Sequence, residues 1–96
     1  GALAVENKFG NKLMFRQPTP IPIPIGKWIK VKVHFAFHEE NGRIELWQDG
    51  VRVLDVDAPT LPLSIAIQNN IEVGISATSQ ACDVFVDDVR LSPLPL

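Results

Sequence analysis

Trp28-Ile29-Lys30-Val31-Lys32-Val33-His34-Phe35-Ala36-Phe37, then Asn41-Gly42, then Arg43-Ile44-Glu45-Leu46-Trp47-Gln48-Asp49-Gly50-Val51-Arg52-Val53-Leu54-Asp55-Val56, is the stretch that decides the fold. Successive side chains of an extended chain point to opposite faces, so strict alternation of apolar and polar residues marks a half-buried strand. Ile29, Val31, Val33, Phe35 and Phe37 share one face; Trp28, Lys30, Lys32, His34 and Ala36 share the other. Asn-Gly and Asp-Gly both accept the positive φ angles that two-residue hairpin turns require. The spacing therefore predicts a three-stranded antiparallel meander over residues 28–56, turning at Asn41-Gly42 and at Asp49-Gly50. Turn geometry also sets register. About Asn41-Gly42, Phe37 faces Leu46, Ala36 faces Trp47 and His38 lies across from Glu45; about Asp49-Gly50, Leu46 faces Val53 and Trp47 faces Arg52. Leu54 and Val56 then stand on the Trp47 face.

Outward from this meander the chain continues in the same style. Residues 2–7 and 12–17 flank Lys8-Phe9-Gly10-Asn11 and read as a hairpin. Residues 18–26 place proline at every second position from Pro18 to Pro24, with Thr19, Ile21 and Ile23 between them and Ile25-Gly26 at the end; proline cannot donate to a ladder, so this is an extended connector along an edge, its isoleucines tucked against the core. Pro59 and Pro62 break the chain after the meander, and strands are expected at 64–68, 71–77 and 83–91, with a turn at 78–81. Trp28, just after Gly26, reads as a lid on the core. No window repeats apolar residues at helical spacing. The expectation is one all-β domain over residues 1–96, an antiparallel two-sheet β-sandwich of jelly-roll type with about seven strands. Pro93-Leu94-Pro95-Leu96 ends the last strand, as a terminus or the start of a linker.

Composition excludes several classes. An apolar share of 46% and a charged share of 21% belong to a globular chain rather than a disordered one. A formal charge of −2 offers no basic field, so nucleic acid is not an expected partner. The sequence holds no apolar run near the roughly 18 residues of a membrane helix, so no membrane insertion is expected. Cys82 stands alone, which rules out an intrachain disulfide and a cysteine metal cluster, and it reads as a small hydrophobe.

Candidate chemistry is sparse. His34 and His38 share a strand face, which would suit a metal with Glu45 or Asp49 as third ligand, or a solvated face with carboxylate partners; Lys30 and Lys32 on that face favour the second. Consecutive strand carboxylates at Asp87 and Asp88 point to opposite faces, a poor start for the six or more oxygens of calcium. Glu45 and Asp49 would stand roughly 13 Å apart along a strand, too far for a glycosidase pair. No nucleophile motif, phosphate loop or cofactor fingerprint is present, so neither catalysis nor a cofactor nor a metal is expected. What remains is a polar face carrying Lys32, His34, Glu45, Trp47 and Arg52. A ring among hydrogen-bonding groups suits a sugar, whose C–H face stacks while its hydroxyls bond. It equally suits a tryptophan half-covered by a loop or a second sheet.

Gly26-Lys27-Trp28, Arg43 to Gly50, Ile71-Glu72-Val73-Gly74 and Val86-Asp87-Asp88-Val89-Arg90-Leu91 occur in the order of four landmarks of concanavalin A-like lectin/glucanase domains, and the chain resembles a short or partial version of that superfamily, laminin-G-like relatives included. The resemblance spans residues 26–92. It implies a jelly roll, a concave face that often takes saccharide, and a place outside the cell or at its surface. It implies no catalysis here: the lyase relatives' tyrosine has no counterpart in a chain without tyrosine, and the glucanases' paired glutamates are missing. The expected function is a non-catalytic carbohydrate-binding module using Trp47, His34, Lys32, Glu45 and Arg52. The alternative is a structural or protein-interaction domain that self-associates, as a homodimer for example, to cover Leu54, Val56 and an open edge.

Overall fold

The tightest turn forms where the sequence places it. Asp49 (φ 50°) and Gly50 (φ 81°) are both left-handed, the combination a two-residue type I′ hairpin needs. In the computed structural model, which describes residues 1–9, 13–66, 72–74 and 81–93, this turn joins the strands here numbered β4 (Arg43–Gln48) and β5 (Val51–Asp57). The strands preceding them are β1 (Ala4–Glu6), β2 (Met14–Arg16) and β3 (Val31–Ala36). They form two antiparallel sheets, β1-β2 and β3-β4-β5, and no helix occurs among the described residues.

Register departs from expectation twice. Gln48 faces Val51 and Trp47 faces Arg52, but the pairing then slips between Trp47 and Leu46, so that Leu46 faces Leu54, Glu45 faces Asp55 and Ile44 faces Val56. Val53 is the extra residue of a β-bulge. A slip of one exchanges the faces of everything beyond it. Leu54 and Val56 therefore leave the Trp47 face and join Ile44 and Leu46, while Asp55 turns to the Glu45 face. The self-association argument from an apolar Leu54 and Val56 on the polar face falls with this correction.

The second departure is at Asn41-Gly42, where neither residue has positive φ. Val33, not Phe37, lies opposite Leu46, and His34, not His38, lies opposite Glu45. The shift is even, so each side chain keeps its face. A clasp on the loop at 37–42 accounts for it. The His38 carbonyl accepts the N–H groups of Thr60 (2.9 Å) and Leu61 (3.1 Å). The Thr60 hydroxyl accepts the His38 N–H (2.8 Å) and donates to the Ala36 carbonyl (2.8 Å). His38 Nδ1 accepts the N–H groups of Glu40 (3.0 Å) and Asn41 (2.8 Å). His38 thus orders a loop rather than a sheet face. Gly42 is required for space, not for φ: its carbonyl accepts the Ala58 N–H (3.0 Å), and a Cβ there would lie 2.5 Å from the Ala58 carbonyl oxygen and run into the Thr60 hydroxyl.

The core sits on one face of the meander. Ile44 (2% exposed), Leu46 (3%), Leu54 (3%) and Val53 form its centre, and Leu3, Val5, Phe15, Ile21 and Val56 pack against them. The β1-β2 hairpin, paired Ala4 to Arg16, Val5 to Phe15 and Glu6 to Met14, therefore lies against the apolar face of the larger sheet. Buried Gln17 ties hairpin to connector: its amide nitrogen donates to the Leu3 carbonyl (2.9 Å), and its amide oxygen accepts the Ile21 N–H (2.9 Å). Of the connector's isoleucines expected on the core, only Ile21 packs there; Ile25 is fully exposed.

Other expectations change. Five strands, not about seven, occur among the described residues. Residues 63–66 form a turn closed by Ala66 N–H to the Leu63 carbonyl (3.1 Å), so the start of the expected 64–68 strand is a bend. Most of the expected 71–77 strand and of the 78–81 turn lies outside the described residues. Residues 83–91 are not in a strand: Asp88 is left-handed (φ 51°), which interrupts the alternation. Trp28 is 69% exposed and no lid.

Leu46→Ala should lower unfolding stability by about 2–4 kcal/mol, because so small a core cannot collapse around the lost volume. Gly42→Ala should cost about 1–3 kcal/mol by overpacking against Ala58 and Thr60. Urea melts followed by circular dichroism check both; a neutral Gly42→Ala would show that the approach of residues 58–60 is soft.

Candidate functional site

The polar face of the meander collects every residue expected there. Antiparallel pairing sets Lys32 beside Trp47 and His34 beside Glu45, and the Asp49-Gly50 turn sets Arg52 beside Trp47. The Lys32 ammonium lies 4.3 Å from the centroid of the Trp47 ring, a cation–π contact that also covers part of the indole. Glu45, largely shielded from solvent, lies between His34 Nδ1 (3.1 Å from Oε1) and Arg52 Nη1 (3.3 Å from Oε2).

Two members of this cluster were missed by the sequence reading, for one reason. The bulge turns Asp55 onto the Glu45 face, where Arg43 grips it through Nε (2.8 Å) and Nη2 (2.9 Å), a two-pronged pair. Arg52 approaches Asp55 as well (3.5 Å). With strict alternation Asp55 would face away, so only a signal for the bulge could have found it; two consecutive apolar residues, Val53-Leu54, in an otherwise alternating strand are that signal.

The electrostatics follow from these contacts. The hydrogen bond with His34, then the charge of Arg43 and the hydrogen bond from Arg52, hold the Glu45 carboxyl below its ordinary value against the opposing effects of burial and the Asp55 charge. The bond from Arg43, with the Arg43 and Arg52 charges, lowers Asp55 in the same way, and Asp55 in turn raises Arg43. Both acids are thereby held as carboxylates, acceptors whose lone pairs are engaged by neighbours on the same sheet.

Beside this cluster runs an open groove of about 960 Å³, and no strand lies over Trp47 among the described residues. Trp28, Lys30, Lys32 and Trp47 line one side, and Asp87, Asp88 and Arg90 the other. Its end is fixed by the hairpin: the Lys30 carbonyl accepts the Asp49 N–H (2.8 Å), and the Asp49 carboxylate accepts the Lys30 N–H (2.8 Å). The groove thus pairs an exposed indole with a half-buried one and carries both signs of charge. His34, Glu45 and Arg52 form the adjoining ion-paired floor and are not part of the groove lining. No family model matches the chain, and no curated protein and no solved structure is significantly similar to it.

Depressed carboxylate values make a stabilising contribution that is complete above the ordinary carboxylate range, near pH 4, and is lost as pH falls through the lower folded-state values. The melting temperature should therefore drop on acidification below about pH 4, and Glu45→Gln should flatten that drop. Scanning calorimetry from pH 6 to pH 2.5 measures it; identical pH profiles for the two proteins would contradict the network.

Proposed function

We propose that the chain is a non-catalytic binding module that takes a carbohydrate in the groove between Trp28 and Trp47, on a jelly-roll sandwich of the concanavalin A-like kind. The observation that carries this reading is the groove itself: two indoles and a set of charged hydrogen-bonding groups along one open channel. Sugars need that mixture, a ring for the C–H face and polar groups for the hydroxyls. Trp28 is the better stacking platform, being largely uncovered, whereas Trp47 already carries the Lys32 ammonium on its ring. Lys32 and the ion-paired floor of His34, Glu45 and Arg52 would hold Trp47 in place beside the ligand. The non-catalytic part rests on the sequence, which carries no nucleophile motif, phosphate loop or cofactor fingerprint; Glu45 and Asp55, held as carboxylates, also lack the raised value a general acid needs.

A shallow open site of this kind binds weakly, with Kd in the range of about 10 μM to 1 mM. Titration of a glycan panel into isotope-labelled protein, followed by NMR, should move the amide and indole signals of Trp28, Lys30 and Trp47. Trp28→Ala should weaken binding about tenfold, the value of one stacked ring. Shifts scattered over the surface, or none with any glycan, would refute the proposal.

A second reading, self-association through an apolar face, is favoured by a different observation. Val31, Val33, Phe35 and Phe37 form a stripe on the core side of β3 and are 40–48% exposed. An apolar stripe this continuous is characteristic of contact surfaces. Sedimentation velocity across a hundredfold dilution separates the two: a monomer throughout excludes a dimer, and a dimer that binds no glycan replaces the first reading with the second.

A further inference from the structure

The outer edge of β3 and residues 83–91 carry features that fit each other. Because the Lys30 carbonyl accepts the Asp49 N–H (2.8 Å), and Lys32 and His34 follow in the same ladder opposite Trp47 and Glu45, the backbone groups of those three residues point toward β4. Alternation then turns the N–H and C=O groups of Val31, Val33 and Phe35 outward, and among the described residues no strand pairs with them. An edge like this is a template for one more strand.

Residues 83–91 have the pattern of a strand with one residue too many. Asp88 is left-handed (φ 51°), and its N–H donates to the Asp87 carboxylate (2.8 Å). A single left-handed residue between two alternating stretches is the geometry of one class of β-bulge. With Asp88 counted as the extra residue, Val84, Val86, Val89 and Leu91 fall on one face, and Asp83, Phe85, Asp87 and Arg90 on the other. Without it the apolar residues are divided between faces. The segment is also already in place: Asp87, Asp88 and Arg90 line the same groove as Lys30, Val31, Lys32 and Val33, with opposite charge on Asp87 and Asp88 against Lys30 and Lys32.

We propose that residues 83–91 close onto the outer edge of β3 as a bulged fourth strand. Val84, Val86, Val89 and Leu91 extend the apolar face of Val31, Val33 and Phe35, and Asp87 meets the lysines on the polar side. Closure narrows the groove between Trp28 and Trp47. On the reading of that groove as the ligand site, the segment is its gate and competes with the ligand.

Amide hydrogen exchange tests the closure directly. The Val31, Val33 and Phe35 amides should exchange at least about tenfold more slowly in the native chain than in a Val86→Pro/Val89→Pro variant, while β4 amides stay unchanged and report an intact fold. Asp88→Gly, which keeps positive φ, should preserve the protection, and Asp88→Val should reduce it. Equal rates in native and proline variants overturn the proposal. So does protection that rises with protein concentration, which would place a second copy on the edge. Glycan titration separates the gate from the site. Tighter binding by the proline variant supports gating, and equal binding despite lost protection overturns it. If no glycan binds either protein, the groove reading fails while the exchange data still decide the closure.

Discussion

One inserted residue determines what faces what. Val53 enters β5 as a bulge opposite Leu46 and Trp47, and everything beyond it is displaced by one position. Leu54 and Val56 are carried onto the side of Ile44 and Leu46, where Leu54 is almost fully buried, and Asp55 is carried onto the side of Glu45. Without the insertion the core would lose Leu54 and the polar face would acquire it. Core and ion cluster are thus two products of the same local event. The Asp49-Gly50 turn supplies its fixed reference, because it sets the pairing from which the bulge departs.

The polar face that results is internally satisfied. Exposed ion pairs each contribute little to stability, since water and salt screen them and the side chains lose entropy in pairing. Two arginines and a histidine arranged around two acids act mainly on orientation: each side chain has few alternative places to go. On the proposed reading the ligand meets the adjoining groove, where Trp47 is held as a fixed wall rather than a mobile one.

Much of the fold was legible in the sequence because alternation survives even shifts. The Asn41-Gly42 reading erred by four positions (Val33 in place of Phe37 opposite Leu46), yet every β3 side chain kept its face, because four is a multiple of the strand period. The five expected site residues came onto one side for the same reason. What was hidden was tertiary. The loop at 37–42 is held by Thr60, a residue distant in sequence, and Gly42 serves close packing against residues 58–60 where its neighbour Asn41 suggested a turn. Arg43 and Asp55 were missed because strict alternation overlooks the bulge that the Val53-Leu54 pair marks. Trp28 was misplaced because β3 begins at Val31, leaving the tryptophan beyond the ladder.

The alternation of Lys30 and Lys32 with Val31, Val33 and Phe35 along the outer edge of β3 has a consequence for the behaviour of many copies together. A parallel, in-register stack of this edge would bring Lys30 onto Lys30 and Lys32 onto Lys32. An antiparallel pairing centred on Lys32 still opposes that lysine with itself. Like charges across a ladder are repulsive, and lysine on an edge strand is a common guard against fibre growth. Strand-to-strand polymerisation is thereby discouraged at this edge. Attachment of a partner to β3 is then selective for a strand that carries acids where this one carries lysines.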